Sequence, residues 1–211
     1  MKDTSRLVLV CILASLLVWF VPQVTGFLVY SGRSLASGAV WTLITALFIH
    51  GDLFHLIGNV AFLYVFGNAV EGVASGKIMM AVFLVGGVGS FLSGTYFYGF
   101  NSVMIGASAA IFTLAATAML VKPLKSSLLF FYMPLGLVAI LFFIFNLFAV
   151  YFLVGGNVGY VAHVAGFLIG LPFGVALSKG EWVKNLAITL LLLIAFIVAI
   201  YTIGMLLGVL L

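Results

Sequence analysis

Seven stretches of this chain run for most of a bilayer's thickness without Asp, Glu, Lys or Arg, save Lys184 at the very start of the last, and that decides the solvent in which it folds. A helix needs about 20 apolar residues to cross a hydrocarbon core of about 30 Å. Cut at charges, prolines and glycine clusters, the stretches are 7–30, 54–70, 78–97, 103–121, 128–154, 159–177 and 183–211. Residues 40–49 are apolar too, but too few to cross, and read as a re-entrant or interfacial piece. The composition agrees: 66% of residues are apolar and 6% charged, against about a quarter charged in soluble domains. A water-soluble globule is excluded, and the expected fold is an all-α polytopic membrane protein.

Direction follows from the sparse charges. Lys2 and Arg6 precede an apolar run, as in a secretory signal, but no A-x-A-like cleavage site follows and six more spans do, so this run is read as the first membrane helix. Across seven spans, Lys2, Arg6, Lys77, Lys122, Lys125, Lys179 and Lys184 fall on one side and Arg33 alone on the other. Lys and Arg favour the cytoplasmic side of short loops. The N-terminus is therefore expected inside a cell membrane, with the C-terminus and the 31–53 connection outside. A net charge of +4 without a basic run speaks against nucleic acid as a partner. The single cysteine, Cys11, leaves no intrachain disulfide and does not fix the redox compartment. Trp19, Trp41 and Trp182 suit interfacial anchoring, and Phe142, Phe143, Phe145, Phe148 and Phe152 read as lipid-facing or packing surface.

Small residues recur four apart in three spans: Gly86, Ser90 and Gly94; Gly106 and Ala110; Gly166, Gly170 and Gly174. Such faces let backbones approach closely in lipid and predict a tightly crossed bundle. Polar groups inside a span are costly and by default suggest function. Ser and Thr can satisfy themselves on the carbonyl one turn back; Asn59, Asn146 and His163 are harder to explain away. His55 and Asn59 are four apart, on one helical face.

Depth sharpens the reading. At about 1.5 Å of rise per residue, Asn59 stands roughly 18 Å above Glu71, Ser108 roughly 21 Å above Lys122 and His163 roughly 24 Å above Lys179. The three groups thus share one layer in the outer part of the core. Ser108 would be a nucleophile, His163 its general base and then acid, and Asn59 with the Ser108 backbone N–H an oxyanion hole assisted by the helix dipole. Asp52, Glu71 and Glu181 lie near span ends, so no buried carboxylate is available to orient His163, and a dyad is expected. Asn146 has no assigned role.

The same residues resemble the rhomboid intramembrane serine proteases over nearly the whole chain. Trp41-Thr42, then His50, His55 and Asn59, then Phe66-Gly67 and Val70-Glu71 are similar to the family's second-helix block with its H-x4-H-x3-N spacing. Gly106-Ala107-Ser108-Ala109 is similar to the G-x-S-G nucleophile motif, and Ala162-His163 with Gly166-Phe167 and Gly170 to the A-H-x-x-G-F-x-x-G block of the sixth helix. The resemblance implies Ser108 and His163 as the catalytic pair, with His55, Asn59 and the Ser108 amide binding the oxyanion. It also implies that Phe112 stacks on the catalytic histidine and that the fifth helix borders the route of a transmembrane protein substrate. Phe112, Gly106 and His50 are expected as substrate-binding or support residues. One domain over 1–211 is expected, a six-helix core over 7–178 with an added C-terminal helix over 183–211. Ala109 in place of the second glycine should matter little, and Thr42, where many members have Arg, implies different support of the outer loop.

Other readings exist. His50, His55 and His163 could bind zinc, but no H-E-x-x-H occurs, and no metal or other cofactor is expected. A transporter would need polar groups along the inner half of its path. The main rival is a non-hydrolytic rhomboid-like protein that binds membrane helices without cutting them.

Overall fold

The computed structural model describes residues 2–154 and 158–209. Seven long helices carry the fold: α1 (Asp3–Phe20), α5 (Leu53–Glu71), α6 (Gly76–Tyr98), α7 (Ser108–Val121), α8 (Leu135–Tyr151), α9 (Tyr160–Leu177) and α10 (Trp182–Leu206). Between α1 and α5 lie three short helices, α2 (Thr25–Leu28), α3 (Gly32–Ala36) and α4 (Thr42–Thr45). Strands are absent among the described residues, apart from isolated bridges such as Tyr30 with Met104. The last two residues of the expected seventh span lie outside the described residues.

Helix boundaries depart from the hydropathy reading where local chemistry intervenes. The first span was expected to reach residue 30, but α1 ends at Phe20 because Pro22 follows and supplies no N–H to continue the ladder. Asp52 caps α5 by accepting the His55 N–H at 2.8 Å, and Ser75 caps α6 through the Ile78 N–H at 3.3 Å. The fifth span was expected from residue 128. Instead Phe131 and Tyr132 adopt positive φ of 51° and 59°, and α8 begins only after Pro134.

Among the described residues, five helices are long and apolar enough to cross a bilayer, whereas α7 and α8, with 14 and 17 residues, are shorter. The helix α7 rises only about 21 Å in a core of about 30 Å. Residues 103–107, expected as its first turn, are not helical, so Gly106 belongs to a loop and forms no small-residue helix face with Ala110. Irregular backbone at membrane depth is tolerated where protein surrounds it. Here the Gly106 N–H donates to the Ala46 carbonyl at 2.8 Å and the Met104 N–H to Tyr30 at 2.8 Å.

The short helix α7 is the axis of the bundle, and eleven of its fourteen residues are buried. Its alanines and the glycines facing it permit the close approach. A Cβ on Gly166 would overlap the Ala109 carbonyl oxygen, and one on Gly170 the Thr113 carbonyl oxygen. Thr113 and Thr117 donate across this seam to the Gly166 and Gly170 carbonyls at 2.9 and 3.2 Å. By contrast α10 is largely lipid-facing; Thr189 is its buried residue, and Asn185 ties its first turn to the Leu120 carbonyl at 2.7 Å.

The two ends of the bundle are distinct. At one, Glu71 accepts the backbone N–H groups of Asp3 and Thr4, joining the last turn of α5 to the first of α1. Lys125 lies at this end, and burial, followed by the nearby Lys122 and Lys2, pushes its ammonium below the ordinary lysine range. At the other end, Arg33 reaches Phe100 and Asn101, and the Tyr98 hydroxyl accepts the Val161 N–H at 2.8 Å. The 21–52 connection, the C-terminal end of α6 and the N-terminal end of α9 therefore meet. Around position 42, where Thr stands in place of an arginine, that connection holds itself: Thr42, buried, donates to the Ala39 carbonyl at 2.7 Å, Thr45 to Leu28 at 2.8 Å and the Trp41 ring N–H to Phe27 at 2.9 Å.

Candidate active site

Ser108 is the first residue of α7, where a backbone N–H has no partner one turn back and the helix presents its positive end. His163 stands in the first turn of α9, directly across the glycine seam. The Ser108 hydroxyl lies 2.7 Å from His163 Nε2, and the imidazole is 9% exposed. The two side chains meet because Gly166, one turn after His163, lets α9 lie against the backbone of α7 at Ala109.

Phe112, one turn after Ser108, stacks on the His163 ring with centroids 4.7 Å apart and planes within 7° of parallel. His163 Nδ1 is 2.8 Å from Asn146 Oδ1. The group facing Nδ1 is thus a neutral amide. Asn146 has no role from sequence, and its depth becomes informative only with the helix ends that the structure gives. Asn146 lies five residues before the C-terminal end of α8, about 8 Å along it, and His163 three residues into α9, about 5 Å along it, so the two share a layer at that end of the bundle.

The loop before Ser108 is shaped by two histidines. Gly106 has φ of +102°, and a Cβ there would lie 2.8 Å from both Cε1 and Nε2 of His55, so the His55 ring rests against the Gly106 backbone. His50 is almost wholly buried; its Nε2 accepts the Ala107 N–H at 3.4 Å, which leaves Nδ1 to donate to the Ser15 hydroxyl at 3.0 Å. The Trp19 ring N–H holds the His50 carbonyl at 2.9 Å. Burial pushes His50 down to about 4, which keeps the ring neutral and Nε2 free to accept. His50 and His163 thus engage protein groups through both ring nitrogens, and among the described residues no three metal-ligating side chains converge.

Asn59 is 8% exposed and sits one turn beyond His55 on α5. Its Nδ2 donates to the His55 carbonyl at 2.8 Å, which uses one of its two N–H groups, and its buried Oδ1 has no hydrogen-bond partner. Beside the site, Phe62 of α5 meets Phe142 of α8 edge-on at 4.6 Å, and Phe130 packs on Phe62 at 4.7 Å. Along α8, Phe143 is packed on Phe167, while Phe145, Phe148 and Phe152 are exposed.

A family model, the Rhomboid domain, matches residues 37–180, about two thirds of the chain, and so covers α5 through α9 with His50, His55, Asn59, Ser108, Asn146 and His163. The chain belongs to the rhomboid family. It is an integral, multi-pass membrane protein of all-helical architecture. A curated relative, the rhomboid-like protein 11, chloroplastic, of Arabidopsis thaliana, is 38% identical over 84 residues. That stretch is 40% of this chain and 30% of the relative's own length.

Proposed function

We propose that the chain is an intramembrane serine endopeptidase that hydrolyses peptide bonds in or near the transmembrane helices of other membrane proteins. The observation that carries this reading is the 2.7 Å contact of the Ser108 hydroxyl with His163 Nε2 at the start of a buried helix. The Ser108 oxygen attacks the substrate carbonyl carbon as its proton passes to Nε2, and the carbonyl π pair moves to oxygen. The same proton then goes to the leaving amide nitrogen as the C–N bond breaks, and water repeats the sequence to free Ser108. The Ser108 N–H, the free N–H of Asn59 and His55 are assigned to the oxyanion. Gly106 and His50 shape the loop that carries this N–H, and Phe112 holds the base.

Peptide bonds within a helix are shielded, so substrates must unwind locally, and segments holding Gly or Pro do so at least cost. The cation bias puts the N-terminus in the cytoplasm of a cell, with the site opening to the outer face of the cell membrane. No metal or other cofactor enters the reaction. The whole chain acts as one domain, α10 being added to a six-helix core.

The experiment is incubation of the full chain in detergent or liposomes with a panel of membrane helices, with products read by mass spectrometry. Cleavage within or beside a span, lost in Ser108→Ala, supports the reading. Retained helix binding without any cleavage would replace it with that of a non-hydrolytic binder.

A further inference from the structure

We infer that Asn146 is a positioning residue: its side-chain oxygen fixes the tautomer and orientation of the His163 imidazole, completing a serine, histidine and asparagine relay across α7, α9 and α8. This deepens the proposed hydrolase reading and rests on it. An asparagine within an apolar helix is costly unless both ends of its amide are satisfied. Asn146 is 3% exposed, its Nδ2 donates to the Phe142 carbonyl at 2.8 Å, and its Oδ1 lies 2.8 Å from His163 Nδ1.

The Phe142 carbonyl settles which way the amide points. A carbonyl only accepts, so the NH2 group must face it and the oxygen must face His163. An amide oxygen also only accepts, so Nδ1 carries the proton and Nε2 is left with its lone pair toward Ser108. That is the tautomer a general base needs. Asn59 makes the same bond one turn back, to the His55 carbonyl, yet its Oδ1 meets no protein donor. The anchor is therefore a general habit of a membrane asparagine, whereas the aim at an imidazole belongs to Asn146. With Phe112 stacked on the ring face, the imidazole is held at both nitrogens and from one side. Because the amide is neutral, it orients the ring without the charge that a carboxylate would bring.

The test uses the full chain in detergent micelles, a fluorophosphonate probe to measure the labelling rate of Ser108, and 15N NMR of histidine-labelled protein, with His163 assigned by difference from His163→Ala. The wild-type ring should carry its proton on Nδ1. Asn146→Leu, similar in shape but without an acceptor, should give a mixture of tautomers and label about 10- to 100-fold more slowly, the range seen when the hydrogen-bond partner of a metal-ligating histidine is removed. Asn146→Asp in its protonated form keeps both bonds, its O–H donating to the Phe142 carbonyl and its other oxygen accepting from Nδ1, and should recover most of the rate. A role in packing alone gives the opposite order, with Leu tolerated better than Asp, and would overturn the assignment. So would a wild-type ring unprotonated at Nδ1. Should the wild-type chain fail to label, the hydrolase reading falls and the tautomer still decides: redistribution in Asn146→Leu supports the positioning role, and an unchanged ring overturns it.

Discussion

Gly106→Ala separates a loop that merely connects helices from one that sets the position of the nucleophile. At φ of +102° any L side chain is strained, at a cost of about 1–3 kcal/mol. The new methyl would also stand 2.8 Å from two atoms of the His55 ring, so ring or loop must yield by roughly 1 Å to restore a contact of about 3.5–4.0 Å. The ring has Asp52 and Asn59 anchoring its helix on either side, whereas the loop runs on within two residues into Ser108. A displacement of about 1 Å at a reacting group can cost about 10²-fold in rate. Gly99→Ala is the internal control: φ there is +90°, but nothing lies within 4 Å of the added methyl. Both variants should lose a few degrees of apparent Tm, at about 2–4 °C per kcal/mol. Only Gly106→Ala should label Ser108 with a fluorophosphonate about 10²-fold more slowly. Equal labelling rates for the two variants would refute the claim that the His55 contact, rather than backbone strain, governs the site.

Asn59→Ala should keep the fold and lose about 10²- to 10³-fold in turnover of a cleaved membrane helix; unchanged turnover would remove its oxyanion role. Thr113→Val with Thr117→Val deletes two bonds across the seam between α7 and α9, each worth about 0.6 kcal/mol and at most about 1.7 in membrane proteins. A small fall in the unfolding midpoint in detergent is expected, while Gly170→Ala, whose methyl would overlap the Thr113 carbonyl, should cost more. His50 is held neutral by burial, about 4 against an ordinary 6.5, so between those values the unfolded chain binds the extra proton. Its contribution is therefore full above pH 6.5 and lost as pH falls toward 4. Thermal scans across that window should show the loss, and His50→Gln should flatten it.

Hydropathy made the number and order of the long helices legible, because lipid admits only segments that satisfy their own backbone. It was blind to their ends. Pro22, Pro134 and the positive φ of Phe131 and Tyr132 are local backbone chemistry that an apolar count does not register. The start of α7 escaped for a related reason: residues 103–107 are as apolar as a span, but they leave the helix to pack under the 21–52 connection, a tertiary choice. Ser108 and His163 could be placed by depth, since Lys122 and Lys179 beyond the far ends of their helices give a ruler, and Phe112 by the family resemblance. Asn146 has no flanking motif, and its partner is seventeen residues away on another helix. Only the crossing of α8 over α9 reveals what its oxygen faces.

The most direct measurement is the mass-spectrometric location of the adduct after the full chain reacts with a fluorophosphonate. One modification on Ser108 in the wild-type protein, and none on that residue in His163→Ala, is the expected result. An adduct on another residue, or equal modification of Ser108 without His163, would contradict the account.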